Sequence, residues 1–314
     1  MTTVLDSNST PSTSVTPIGL DIRPIGGALG AEVRGVKLSG DLQPATIKAL
    51  HQAVLKYKVI FLRDQHHLDD PTQEAFGHLF GDLVGHPTVP SLEGTTAILD
   101  VDGARGERAS SWHADITFVD AYPRITILRP HALPERGGDT LWGNTVSAYN
   151  ELPEPLRDLA DKTWALHSNQ YDYVGDRGNV HKEGLKRYKE VFTSTVYETE
   201  HPLVAVHAET GEKSLIVGHF IQKLIGYGSS DSRRLLEIFN DHVTRPENTL
   251  RWHWALGDVA IWDNRATVHR AVDDYGDLPR VVRRTTVIGE PPVSVDGRRS
   301  GETRVIGGKP GIAA

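Results

Sequence analysis

GDVAIWDNRATVHRAVDDYGDLPRVVRRTTVIG, residues 257–289, holds three short apolar runs, at 258–263, 267–272 and 281–288. Each is rich in Val, Ile or Thr, and Asp263-Asn264-Arg265 between the first two is turn chemistry, so the stretch predicts consecutive β-strands. The middle run delivers His269. A histidine on a strand is more often a satisfied core residue than a ligand, so it decides nothing alone. Arg280 follows eleven positions later and Arg284 four beyond that. The two-residue period of a strand puts those arginines on one face and Arg283 on the other. Two cations facing inward need anions.

Outward from this stretch the pattern stays mostly β. Strands are predicted at 59–62, 96–101, 124–132, 139–142, 163–169, 202–207, 214–218 and 250–254, with turns such as Glu209-Thr210-Gly211-Glu212. Helical spacing of Ile47, Leu50, Val54 and Tyr57 predicts a helix over 45–57. Asp70 as N-cap with Pro71 at the first helical position predicts another to about residue 80, and two more are expected at 146–161 and 231–244. Many short strands with a few flanking helices give a mainly β fold, a jelly-roll-type barrel rather than an alternating βαβ sheet. The glycines of GGALGA, 26–31, sit between strands with no helix to follow, which speaks against a phosphate loop. The polar stretches 85–111 and 169–200 are long for connections and read either as lids and binding loops or as surface excursions.

Composition narrows the function classes. The apolar and charged fractions, 38% and 24%, are those of a globular chain with a sizeable core. A formal net charge of −7 provides no field toward polyanions, so nucleic acid is not the expected partner. With no cysteine there is no disulfide, thiolate nucleophile or sulfur-ligated metal, while 15 histidines remain available as ligands. The N-terminal stretch lacks the basic start and apolar core of a secretory signal, and no run approaches the roughly 20 apolar residues of a membrane span. The expectation is a cytoplasmic protein with a disordered tail at 1–17, one catalytic domain at 18–292 and a C-terminal tail at 293–314.

Four histidines have an acid two positions on: His67-x-Asp69, His113-x-Asp115, His181-x-Glu183 and His207-x-Glu209. The first precedes a helix, where Asp69 and Asp70 read as capping residues; the third lies in a charged loop and the fourth enters a turn. His113-x-Asp115 differs because Trp112, Ile116 and Phe118 surround it, so WHADITF, 112–118, reads as an extended, partly buried segment aiming both side chains at one face. An unpaired buried carboxylate costs several kcal/mol, so a cation is expected beside it. A structural salt bridge would also satisfy this pair. With His269 added, two histidines and a carboxylate make the facial triad suited to Fe(II), with three coordination positions left open. A 2-oxo acid and O2 would fill them, Arg280 would grip the far carboxylate of the acid, and Thr140 in GGDTLWGN would add a hydroxyl donor.

These residues together give the sequence a resemblance to the taurine dioxygenase family of Fe(II)- and 2-oxoglutarate-dependent oxygenases. It runs from about Gly19 to Pro292 and rests on WHAD, GGDTLW, WDNR and the ten residues between His269 and Arg280. The resemblance implies a double-stranded β-helix (cupin-like) core, iron on His113, Asp115 and His269, and 2-oxoglutarate anchored by Thr140 and Arg280. It also implies that His86 in GHPTVP and Arg284 hold the anionic head of a small organic substrate, with Ile116 beside them, and that the protein is a dimer or tetramer. ENTLRWHWALGDVAIWDNRATVHRAVDDYGD and WALHSNQYDYVG look most like type II alkyl sulfatases, which oxidise a sulfate ester to aldehyde and sulfate, with succinate and CO2 from the cosubstrate. Val268 departs from the polar residue expected before the distal histidine; on a strand it points away from the metal.

Other readings stay open at this stage. A sulfonate or a phenoxyacetate would pair with Arg284 equally well. The same three ligands with an open position also suit a hydrolytic Zn²⁺, although Arg280 and Thr140 then lack a task. A non-catalytic barrel that binds small anions through its arginines is the third.

Overall fold

The computed structural model describes residues 14–15, 20–105, 108–170 and 190–306. The expected N-terminal tail is therefore largely outside the described residues, as are 307–314, His181 and most of the stretch 169–200.

Strand Val259–Asp263 is buried along its whole length because both of its faces are covered. Val259 and Ile261 pack with Leu50, Val54 and Phe76, which lie on helices Pro44–Tyr57 and Asp70–His78. Ala260 and Trp262 point the other way, into a cluster with Phe61, Trp142 and Trp252. Its neighbour Val59–Leu62 divides identically, Ile60 and Leu62 outward to the helices and Val59 and Phe61 inward. The period of two thus separates a helix-covered face from an interior one. These strands belong to an eight-stranded sheet that continues through Ile125–Ala132, Val281–Val287 and Leu99–Asp102. Its pairings are antiparallel except that of Ala31–Arg34 with Val59–Leu62.

The opposite wall is a sheet of Thr249–Trp252, Thr140–Asn144 and Thr267–Ala271. A four-stranded sheet carries Ile221–Leu224, Trp164–Ser168, Tyr197–Pro202 and Arg304–Val305. Aromatic rings fill the space between the first two walls: Phe61 stacks on Trp252 at 4.0 Å and meets Trp142 edge-on at 5.2 Å, and Trp142 meets Trp262 at 5.6 Å. Each such side chain contributes about 1.5–3 kcal/mol on burial. Two sheets closed over one aromatic core make the expected double-stranded β-helix.

The details depart from expectation at several places. Asp69 rather than Asp70 is the N-cap of the second helix, accepting the Thr72 N–H at 2.9 Å. The helix expected at 146–161 is two, Thr145–Asn150 and Glu154–Lys162, because Pro153 lacks the N–H needed to continue the first and serves as cap of the second. The strand expected at 202–207 is two, Tyr197–Pro202 and Val204–Val206. Residues beyond Pro292, expected as a tail, pair with the body: Val293–Ser294 joins Val204–Val206, and Arg304–Val305 joins Tyr197–Pro202.

Candidate metal centre and its pocket

His113 and His269 meet across an antiparallel bridge, His113 N–H to His269 O at 3.0 Å and His269 N–H to His113 O at 2.7 Å, which sets their rings 4.2 Å apart. The extended reading of WHADITF fails after His113. The chain turns there, with Ile116 at φ 57° and the Val119 N–H on Ile116 O at 3.1 Å. It is this turn, not strand alternation, that returns Asp115 to the histidine pair. Its backbone N–H is held by Asn264 Oδ1 at 3.1 Å, its Oδ2 accepts the Thr126 hydroxyl at 2.8 Å, and its Oδ1 pairs with Arg284 Nη1. One donor atom from each of His113, Asp115 and His269 lies within 4.8 Å of the other two.

The protonation states suit a cation. His113 Nδ1 is 2.8 Å from Ser111 O, an acceptor only, so that nitrogen carries the proton and Nε2 presents its lone pair toward Asp115. Burial pulls the His113 pKa down to about 4 and that of His269 well below the ordinary value, so both rings are neutral. For Asp115, burial opposes ionisation, but Arg284, the two imidazoles and the Thr126 hydroxyl outweigh it and hold the carboxyl at about 2. Two neutral imidazoles and one carboxylate clustered in the protein interior, with no cysteine anywhere in the chain, are a donor set that fits a non-heme Fe(II) ion.

Further into the barrel, Arg280 Nε donates to Gly138 O at 2.8 Å and Nη2 to Thr140 Oγ1 at 3.3 Å. The same hydroxyl oxygen accepts the Trp254 indole N–H at 2.9 Å. With both acceptor positions taken, the Thr140 proton is left for a partner outside this network. Arg280 is 3% exposed and has no carboxylate at ion-pair distance among the described residues, and burial lowers its pKa. A buried guanidinium without an anion marks a place for one. One cavity joins these groups: His113 and His269 line it together with Thr140, Arg280, Trp262 and Arg284.

The inward and outward parity of the arginines holds. Arg284 is buried, whereas Arg283 reaches outward to Asp70 at 2.7 Å and to Asp100 at 3.4 Å. The anion that Arg284 meets in this structure is Asp115 itself. His86 stands nearby with Nδ1 accepting the N–H groups of Thr88 at 3.2 Å and Val89 at 3.1 Å, so its proton sits on Nε2. Burial, then the charge of Arg284, brings its pKa to about 3 against the opposing pull of Asp115. Its ring lies against Phe192 at 5.3 Å and Phe118 at 6.0 Å, and Ile116 packs in the same apolar cluster with Val89 and Phe220. Val268 packs away from the His113–Asp115–His269 cluster, beside Val243.

Of the three other histidine–acid pairs, the two among the described residues are accounted for differently. His67 bonds Leu38 O at 2.8 Å, and His207 is buried against Asp263 at 2.8 Å, while His181 lies outside the described residues. Sequence reasoning missed Asn264, Thr126, Trp254 and Ser111. Asn264 lies inside the WDNR segment already singled out; Thr126 had only its even spacing from Leu128 on an inner strand face as a signal.

The family described as taurine catabolism dioxygenase TauD, TfdA matches residues 21–286. The chain is 56% identical over 298 residues to an alpha-ketoglutarate-dependent sulfate ester dioxygenase of Pseudomonas putida, covering 95% of this chain and 99% of that protein. It is 53% identical to an alkylsulfatase of Acinetobacter baylyi over 90% of each chain. Among solved structures, a taurine dioxygenase from Burkholderia xenovorans superposes with a TM-score of 0.76 at 34% identity, over 93% of this chain and 96% of that one. AAD-2 in complex with Mn(II) and N-oxalylglycine superposes with a TM-score of 0.71 at 25% identity, over 87% of this chain and 98% of that one. On this agreement of sequence, fold and clustered ligands, the chain belongs to the TauD/TfdA family of dioxygenases.

Proposed function

We propose that this protein is an Fe(II)- and 2-oxoglutarate-dependent dioxygenase that oxidises alkyl sulfate esters, turning R–CH2–OSO3⁻, O2 and 2-oxoglutarate into aldehyde, sulfate, succinate and CO2. The observation that carries this reading is one cavity lined by His113 and His269, whose donor atoms cluster with that of Asp115, and by Arg280, which has no carboxylate at ion-pair distance among the described residues. The names of the two relatives above 50% identity support the sulfate ester as substrate.

When bound, iron with 2-oxoglutarate supplies the oxidising power for hydrogen removal from the carbon bearing the ester. His113, Asp115 and His269 would hold the ion. Arg280 would pair with the far carboxylate of the cosubstrate, and the free proton of Thr140 would donate to the same group. His86 Nε2–H and the remaining N–H groups of Arg284 would hold the sulfate, and the apolar wall of Ile116, Phe118 and Phe220 would take the organic tail. Arg284 then serves two anions, since one of its nitrogens already pairs with Asp115.

The test is succinate and sulfate release across a panel of alkyl sulfates, sulfonates and phenoxyacetates, with and without O2. Sulfate release that needs both O2 and 2-oxoglutarate supports the reading; release without O2 refutes it in favour of a zinc hydrolase, and binding without turnover refutes it in favour of a simple anion-binding barrel. A cytoplasmic location and a dimer or tetramer belong to the same proposal, checked by cell fractionation and sedimentation. Among the described residues no helix is long and apolar enough to cross a membrane.

A further inference from the structure

The turn that presents Asp115 holds a β-branched residue, Ile116, at φ 57°, a left-handed conformation that such side chains avoid. Backbone of this kind persists only where surrounding contacts over-determine it. Part of the restraint comes from Asn264 and Thr126 on Asp115 itself, described above. The rest comes from the far side of the turn. His201 Nε2 lies 2.9 Å from Thr117 O and 3.2 Å from Val119 O. Carbonyls only accept, so Nε2 carries the proton and donates to two carbonyls on the C-terminal side of the turn. Burial pulls the His201 pKa to about 4, which keeps the ring neutral and leaves Nδ1 as an acceptor. The Ser300 hydroxyl, 2.7 Å away, then donates to Nδ1; Pro292 O at 3.2 Å is its longer alternative.

The next residues close the same clamp. Thr303 Oγ1 accepts the Asp120 N–H at 2.7 Å and donates to Asp120 Oδ1 at 2.9 Å. The segment is itself fastened to the strand that carries His201, through Gly301 N–H to Glu200 O at 2.8 Å and Thr199 Oγ1 to Gly301 O at 2.7 Å. His167 adds a bond to Thr117 Oγ1 at 3.0 Å.

We propose that His201, Ser300 and Thr303 are positioning residues for Asp115, so that the C-terminal segment around 300–303 is a working part of the metal site. The inference rests on the metal reading above and adds to it a set of residues that touch neither metal nor substrate. Neutral imidazole, aligned by Ser300, holds the strained turn from behind, and Thr303 fixes its exit. Loosening either contact lets Ile116 relax and moves the carboxylate away from the two histidines.

Mn(II) binding to the full chain, measured by calorimetry with 2-oxoglutarate present, separates this from a general role in stability. Ser300→Ala combined with Thr303→Val is expected to raise the Mn(II) Kd about tenfold, the usual effect of losing support behind a ligand. Ser300→Ala alone is expected to give a smaller rise in the same direction, and Ser300→Thr, which keeps the hydroxyl, to restore wild-type binding. Circular dichroism and melting curves establish that each variant is folded. A folded double variant that binds Mn(II) as wild type does, with only a lower Tm, overturns the inference and leaves the metal reading standing. Wild-type protein that binds no Mn(II) overturns the metal reading and the inference with it.

Discussion

Thr126 donates its hydroxyl proton to Asp115 Oδ2 at 2.8 Å, leaving Oδ1 to face the two histidines and Arg284. This bond assigns a different task to each carboxylate oxygen. Thr126→Val keeps the shape of the side chain and removes the donor. Metal affinity is expected to fall about tenfold, read by Mn(II) calorimetry, because the carboxylate is then free to rotate. Unchanged affinity refutes the assignment.

His113→Ala removes one of the three proposed ligands and leaves a small space beside Phe220. Succinate formation is expected to disappear, while far-UV circular dichroism stays native because the bridge to His269 uses backbone atoms only. Turnover that survives the substitution rules out the triad.

Arg280→Lys keeps the charge but replaces a planar fork with a single ammonium. The lost bidentate pair, worth roughly 1.5–3 kcal/mol, is expected to raise the KM for 2-oxoglutarate about 10- to 100-fold at nearly constant substrate KM. Trp254→Phe is expected to give a milder rise in the same parameter, since it frees one acceptor position on Thr140 and lets that hydroxyl turn away from the cosubstrate. A rise confined to the sulfate ester KM contradicts both assignments.

Much of this site could be read from the residues because the barrel obeys a period of two. The three runs of 257–289 form strands within a residue or two of where patterning puts them, and Arg280 and Arg284 face inward as spacing requires. WHADITF misled because its turn has no glycine or proline to announce it; the turn around Ile116, at positive φ, is met from far along the chain by His201, 85 positions on, which Ser300, 184 positions on, bonds in turn. Nothing local encodes that. The polar, glycine-containing segment after Pro292 resembled a tail for a related reason: its strands are two residues each and are defined by their partners.

Asp263 is buried against His207 and Arg265, 2.8 Å from each. Burial disfavours its charge, but Arg265 and His207 prevail and hold the carboxyl well below its ordinary range. The folded value lies below the unfolded one, near 3.8, so this contribution is complete at neutral pH. It is lost as pH falls through the unfolded value toward the folded one. Asp263→Asn is therefore expected to cost about 3 kcal/mol at pH 7 and progressively less below pH ~4, followed by denaturant melts at several pH values. Equal stability at pH 7 disproves the pairing's importance.

Phe61 lies between Trp252 and Trp142 and has no exposed surface. Phe61→Ala is expected to lower unfolding free energy by roughly 3–5 kcal/mol, since the two rigid indoles cannot close the gap. Urea denaturation measures it, and a loss below 1 kcal/mol shows the core to be more pliable than its packing implies.

The strand bearing Arg284 is gripped from outside, where Arg283 and Arg129 converge on Asp70, and Gln73 reaches the carbonyl of Arg283 at 3.1 Å and Thr285 Oγ1 at 3.0 Å. Foundation and function therefore occupy alternate residues of one strand. Natural drift or deliberate engineering can exchange the inner side chains to suit a different organic anion while the outer ones keep the scaffold in place, so new chemistries can arise on this barrel without rebuilding it.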